Sequence, residues 1–288
     1  MDNVAIFGVG LIGGSFALAL KKAGFRGAIL GVSSPATLKR AMELGAIDRG
    51  VTPEEAAAEA GLIYLSQPVG QILETLGWLR GRLRPGALVT DAGSTKRNIV
   101  AAAAQSLGGG GFLGGHPLAG KESRGVNFAD AALFQGRTYV LTPSAPGDAE
   151  LPSVRAFVEW IRKIGAQPVF MDPARHDWIV AHTSHLPQIL STCLSAALSE
   201  VIGADVAAQI SGPALADSTR LALSPFEIWS DILATNGAVV REALDRFLCK
   251  LTAARDALDG TPAELRAQWD LGAEFARELR KPAPNRPG

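Results

Sequence analysis

Cysteine is scarce in this chain. Its 288 residues hold two, Cys193 and Cys249, with no C-x-x-C spacing. That leaves one disulfide as the alternative, and both are expected to be buried free thiols of a cytoplasmic protein. An excess of charge of either sign is also missing, because 28 basic residues balance 28 acidic ones. Bulk electrostatics therefore gives no hold on nucleic acid or a membrane surface, and a small anion must be held by individual cations. No apolar run reaches the ~18–20 residues of a membrane span. The opening MDNVAIFG lacks the basic region of a signal peptide and reads as a strand. Histidine is limited to four residues, so each is a candidate for chemistry. What the chain has in quantity is apolar side chains, 47% of residues against 19% charged, in a length that suits two well-buried domains.

Short β-branched runs alternate with helix-like segments over the first 170 or so residues. Runs at 4–8, 27–32, 62–66, 87–92, 111–115, 138–143 and 167–171 read as strands. Ala/Leu/Lys segments of helical spacing lie between several of them. This alternation predicts an α/β domain, residues 1–172, with a doubly wound, mostly parallel sheet. From about Pro173 to Arg280 strand-like alternation ceases, and an all-helical second domain, 173–280, is expected. Its helices are more apolar than a lone helical set needs, which points to a dimer core. The Pro-rich tail 281–288 reads as disordered.

The stretch FGVGLIGGS follows the first strand and opens the first helix. Gly8, Gly10 and Gly13 meet the G-x-G-x-x-G pattern, which serves a tight turn, a close approach to a pyrophosphate and close helix–strand packing. Leu11 and Ile12 lie inside the loop. Pro68 and Ser94, after later strands, complete the expected dinucleotide contacts. NAD selection favours a carboxylate at the end of the second strand, for the ribose 2′-hydroxyl. Ser33 stands there, Ser34 follows, and Lys39 and Arg40 come next. NADP is therefore expected, with NAD as the alternative.

TDAGSTK and GGHPLAG end adjacent strands at the carboxyl edge of the sheet, where ligands bind. Oxidation of an alcohol needs a base for the hydroxyl proton, and a histidine suits this near neutrality. His116 is the candidate base and Ser94 its candidate partner, while a passive loop histidine is the alternative. HDWIVAHTSHLPQ carries His176, His182 and His185. The segment lacks the carboxylates and cysteines that a metal site wants, so no metal is expected. His176 reads as a surface or helix-start residue beside Asp177. In LADSTRLALSP, Asp217 and Arg220 are either a surface ion pair or part of a fork for a substrate carboxylate.

Taken in order, GVGLIGGS, DAGSTK, GGHPLAGKESRG, SHLP, DSTR and IW resemble the prephenate/arogenate dehydrogenase family, over nearly the whole chain. The resemblance implies a Rossmann domain, a helical dimerisation domain and a homodimer. The reaction it implies is oxidative decarboxylation of a cyclohexadienol. His116 would act as base, Ser94 would orient it, and Arg220 would hold the ring carboxylate. His185, Glu122 and Lys96 would line the site, and Trp229 would reach it from a partner subunit. One departure stands out: the SHLPH of many prephenate-using members is SHLPQ here, with Gln188 last. Its amide can accept from an ammonium, and Asp217 would add attraction, so arogenate is expected over prephenate. Because the chain ends soon after the helical segment, any tyrosine feedback is expected at the active site. A β-hydroxyacid dehydrogenase would need a glycine-lysine helix signature that is not evident. A non-catalytic sensor would have no need of Ser94, His116 and Arg220 together.

Overall fold

Alternation within the strands decides the architecture. In β1 (Val4–Phe7) every residue is buried. Val4 and Ile6 enter one apolar cluster, while Ala5 and Phe7 enter another. β4 (Leu62–Leu65) divides the same way, with Leu62 and Tyr64 opposite Ile63 and Leu65. A strand apolar on both faces must be covered on both. α1 (Leu11–Lys22) and α6 (Pro152–Lys163) cover the first face through Phe16, Leu20, Phe157 and Ile161. α3 (Pro53–Glu59), α4 (Val69–Trp78) and α5 (Arg97–Leu107) cover the second through Ala56, Ile72, Leu76 and Ile99. Burying each large side chain contributes about 1.5–3 kcal/mol.

The computed structural model describes residues 2–108, 111–121 and 123–281. The expected tail, 282–288 in particular, lies outside the described residues, as does Glu122. The remaining strands are β2 (Ile29–Val32), β3 (Arg49–Gly50), β5 (Leu88–Asp91), β6 (Phe112–Pro117), β7 (Thr138–Pro143) and β8 (Gln167–Phe170). The sheet order is β3-β2-β1-β4-β5-β6-β7-β8. All neighbours run parallel except β6 and β7. The order turns back at β1, with β2 on one side and β4 on the other, and the crevice beyond this switch point is the usual ligand site.

Two details carry the site. β6 pairs with β5 only at Phe112 and Leu113, yet with β7 it continues to Pro117. His116 is thus a strand residue, not a loop residue, projecting past the end of β5. α2 (Pro35–Glu43) starts on Ser34, whose hydroxyl accepts from Thr37 N, with Pro35 fixing the first helical φ.

The remainder is helical. α7 (Pro173–Val180) is capped by the Asp172 carboxylate, which accepts from Ala174 N and Arg175 N. It runs into a π-turn (Ala181–His185) and then α8 (Leu186–Val201). α9 (Ala204–Ile210), α10 (Pro213–Thr219), α11 (Phe226–Asp256) and α12 (Pro262–Arg280) follow. α11 is tied to the sheet half by two contacts and to α7 by a third. Gly70 N donates to the Asp231 carboxylate at 2.8 Å, Thr95 and Thr235 share a hydroxyl bond at 2.9 Å, and Asn236 Nδ2 donates to Asp177 O at 2.9 Å. Elsewhere the helices leave apolar side chains open, among them Ile210, Leu223, Phe226, Trp269 and Phe275. Cys193 and Cys249 are free but exposed, against the expectation of burial, because the α8 and α11 faces that carry them have nothing packed on them in the single chain. Among the described residues no single helix is long and apolar enough to cross a membrane.

Candidate active site

The glycine loop forms a cradle by removing side chains. Gly8 has φ +86°, and an added Cβ would come within 2.9 Å of Gln67. A Cβ on Gly13 would meet Ser66 Oγ at 2.4 Å and the Gly8 carbonyl at 2.5 Å, so only glycine lets α1 seat on β1. A Cβ on Gly10 would meet nothing within 4 Å, which leaves open space in front of the helix. The first turn of α1 has no side-chain cap and no acidic residue, so its N–H groups are free for an anion. Gly8, Gly10, Ser33 and Pro68 line a cavity of about 280 Å³ here. Leu11, Ile12, Pro68 and Ser94 line a second, of about 390 Å³, closed on the far side by Glu227 and Asp231 of α11. These residues fit a dinucleotide laid across the switch point.

Ser94 also lines the next cavity, of about 540 Å³, together with His116, His176, His185 and Trp229. No hydrogen bond joins Ser94 to His116 among the described residues. The imidazole is held instead by His176: His116 Nδ1 and His176 Nε2 are 2.8 Å apart, and His176 Nδ1 lies 2.7 Å from Asp177 Oδ1. A carboxylate only accepts, so His176 Nδ1 carries the proton toward Asp177, and its Nε2 is left to accept from His116 Nδ1. His116 Nε2 is then an unprotonated lone pair. Burial, joined by the neighbouring His176, Lys96 and His185, holds the His116 pKa well below the usual histidine value. His176, expected at the surface, is 1% exposed; the Asp172 cap sets α7 so that it faces the sheet. The sequence signal for it was the adjacent carboxylate of Asp177. That carboxylate also accepts from Lys96 N at 2.7 Å and Arg97 N at 2.9 Å, capping α5.

Lys96 lines none of these cavities. It is fully buried, with its ammonium paired to Asp91 and donating to Gly115 O at 2.7 Å. Asp91 in turn accepts from Gly115 N at 3.0 Å and Gly93 N at 2.8 Å. Where the β5–β6 ladder stops, this pair replaces it and fixes the backbone on either side of Ser94 and next to His116.

His185 is brought inward by the π-turn, a device that re-aims side chains within a helix. It lies 3.3 Å from Asn236 Nδ2 and edge-on to Trp229, and burial lowers its pKa to about 4. Trp229 lines the cavities of its own chain, its indole N–H bonded to Ser224 Oγ at 2.9 Å. Beyond it a third cavity, of about 800 Å³, is lined by Gln188, Arg220, Lys121 and Arg124. Gln188 donates its amide hydrogens to Leu221 O at 2.9 Å and Thr192 Oγ1 at 3.2 Å, which leaves the amide oxygen as its remaining group. Asp217 is exposed on α10 and lines none of these cavities. His176, Asp177, Asn236, Lys121 and Arg124 are the site residues that sequence reasoning passed over.

The comparisons with known proteins give the family of the chain. Residues 16–168 match the model described as prephenate dehydrogenase, nucleotide-binding domain, and residues 172–279 match that of the prephenate dehydrogenase dimerization domain. The chain is similar to a prephenate dehydrogenase of Lactococcus lactis, 33% identical over 251 residues, covering 86% of this chain and 68% of the relative. A prephenate dehydrogenase from Aquifex aeolicus in complex with hydroxyphenyl propionate and NAD+ superposes with TM-score 0.84 at 31% identity, covering 97% and 96% of the two chains. A Synechocystis arogenate dehydrogenase gives TM-score 0.82 at 27% identity, covering 96% and 99%. The NAD+ of the Aquifex complex overturns the expectation of NADP. The local reason lies in the groups proposed for a 2′-phosphate. Ser34 Oγ caps α2, and Arg40 is bonded to Asn127 at 2.7 Å and Glu43 at 3.1 Å.

Proposed function

The chain belongs to the prephenate dehydrogenase family of NAD(P)-dependent oxidoreductases, and from that premise we propose that it is a dimeric, NAD-dependent enzyme that oxidises and decarboxylates prephenate. The observation that carries this reading is the Asp177–His176–His116 chain, which delivers a neutral base into a cavity adjoining the glycine cradle. NAD+ bound in the cradle supplies the hydride acceptor.

The residues of the chain do the rest. His116 Nε2 takes the proton from the ring hydroxyl, and His176 keeps Nδ1 of that ring protonated throughout, so only one nitrogen can accept. As His116 becomes an imidazolium, the Asp177 charge behind His176 offsets the new positive charge. Asp177 keeps its own three donors and need not take the proton. Ser94, common to the cofactor and base cavities, bonds the hydroxyl and fixes its distance from the base. Arg220 holds a substrate carboxylate through charge-assisted bonds. Loss of the ring carboxylate as CO2 leaves its bonding electrons to aromatise the ring. Cys, Lys or metal chemistry is not required for any of these steps. The helical segment 173–280 forms the dimer, through the open apolar faces described above.

A second reading is supported by Gln188. With both amide hydrogens committed, its oxygen is an acceptor suited to the ammonium of arogenate. Against this, Asp217 lies away from the cavities, and the cations beside Gln188 favour a dianion. Initial rates with prephenate and arogenate, each with NAD, decide between them. His116→Asn is expected to lower turnover by about 10²–10⁴ while NAD still binds. Turnover close to that of the unaltered chain would remove His116 from the mechanism.

A further inference from the structure

The loop after β6, Leu118–Gly125, carries two cations that the proposed mechanism does not use. Lys121 and Arg124 line the 390 Å³ cofactor cavity and the 800 Å³ outer cavity alike. The two cavities differ in charge. In the cofactor cavity, Glu227 and Asp231 of α11 are part of the same lining as the two cations. In the outer cavity a third cation, Arg220, joins them, and no described lining residue is acidic. Arg124 has no hydrogen bond or ion pair among the described residues. Among the described residues Lys121 pairs with Asp130 alone, at 2.9 Å and about 40% exposed, which holds it weakly.

The geometry points to a second anion subsite, in which Lys121 and Arg124 bind the carboxylate of the substrate side chain while Arg220 serves the other carboxylate. This rests on the proposed oxidation of a cyclohexadienyl acid and adds to it a basis for choosing between substrates. Prephenate carries two carboxylates and no cation. Arogenate carries an ammonium one carbon from its side-chain carboxylate. Lys121 and Arg124, which share the lining of the outer cavity, attract the side-chain carboxylate of the first substrate. For the second they attract the carboxylate and repel the ammonium together, so the gain nearly cancels. This pair of cations thereby selects the dianion, which offsets the Gln188 oxygen as an acceptor for ammonium.

The test uses the full chain with Lys121→Gln, Arg124→Gln and the double variant, none of which alters a buried residue. The KM for prephenate is expected to rise about 3- to 5-fold in each single variant and about tenfold or more in the pair. The KM for arogenate and for NAD should change less than twofold. Asp130→Asn, which frees Lys121 while keeping its charge, should leave the prephenate KM unchanged or lower it. Equal rises for the two substrates, or a rise confined to NAD, would overturn the subsite. Calorimetry with hydroxyphenyl propionate and with tyrosine reads the subsite without turnover. The anion should lose about tenfold affinity in the double variant and the zwitterion almost none. If the unaltered chain turns over neither substrate, the proposed reaction fails, while the binding ratio still decides the subsite.

Discussion

Two histidines in series make the base a one-sided one. His116 is burdened first by desolvation and then by its neighbours His176, Lys96 and His185, so its pKa lies well below the usual 6.5. The active form is the neutral ring, and it therefore persists as pH falls below 6.5. The acid limb of kcat/KM is expected below that value, set by the free enzyme. His176→Asn keeps a polar group but removes an ionisable neighbour and the fixed tautomer. It should lower kcat by about tenfold or more and move the acid limb upward; a merely structural role would lower kcat and leave the limb in place. Stability follows the same sign. His116 and His185 bind protons less readily folded than unfolded, so their contribution is complete above pH 6.5 and is lost as pH falls through and below it, toward about 4 for His185. At this scale the placing of His116 and Ser94 on one cavity was legible in the sequence, because a histidine and a serine ending adjacent strand runs are a recognisable pattern. The expected bond between them was not found among the described residues, where His116 bonds His176 instead. His176 was not legible, since a His-Asp pair at a helix start looks the same whether it faces water or a sheet. Only the packing of α7 beneath α11 decides that.

Elements were easier to read than their ends and directions. Each apolar run became a strand. For the inner strands this follows because a run buried on both faces has few other ways to be covered. β8, with Val169 and Phe170 exposed, is held at the edge by its pairing with β7. Two-residue β3 escaped notice, as Arg49 and Gly50 carry no β-branched signal and pair only because Leu30 and Gly31 lie beside them. The antiparallel turn at β6–β7 was also hidden. Direction depends on the path of 118–137, which has no periodicity to follow. That turn matters, since it extends β6 far enough to carry His116 beyond β5. The glycine loop offers the prediction at this scale. Gly13→Val puts a branched side chain where even a Cβ lies 2.4 Å from Ser66 Oγ, so α1 must lift from β1. A loss of about 2–4 kcal/mol is expected from overpacking, read as a lower thermal midpoint, with NAD affinity falling in step. Gly10→Ala, in open space, should keep the midpoint and lose NAD affinity alone. Equal stability in the two variants would show that α1 does not need the close seat.

At the scale of the molecule, the sheet half is closed and the helical half is not. The apolar side chains of α9 to α12 are among the most exposed, with Ile210 at 80% and Trp269 at 71%. A surface of this kind needs a partner. Light scattering is expected to give twice the chain mass, about 60 kDa from the 30.0 kDa chain. Trp269→Glu together with Phe275→Glu should dissociate it or leave it aggregating, and an unchanged mass would place the interface elsewhere. The exposed Cys193 and Cys249 belong to this same open half. Their burial was misjudged from sequence because apolar neighbours along a helix signal a buried face without saying which molecule buries it.

The π-turn at Ala181–His185 has one more consequence. A π-turn holds one residue more than the α-helical register would place there, so it acts as a phase shift between α7 and α8. Removing a single residue within it would close the turn to α-helical pitch, which sweeps nearly the same angle with one residue fewer. α7 and α8 would keep their mutual facing and Gln188 its cavity, while the positions inside the turn, His185 among them, would be re-aimed. At this point the length of the chain, counted in whole residues, decides which side chain of the turn faces the site.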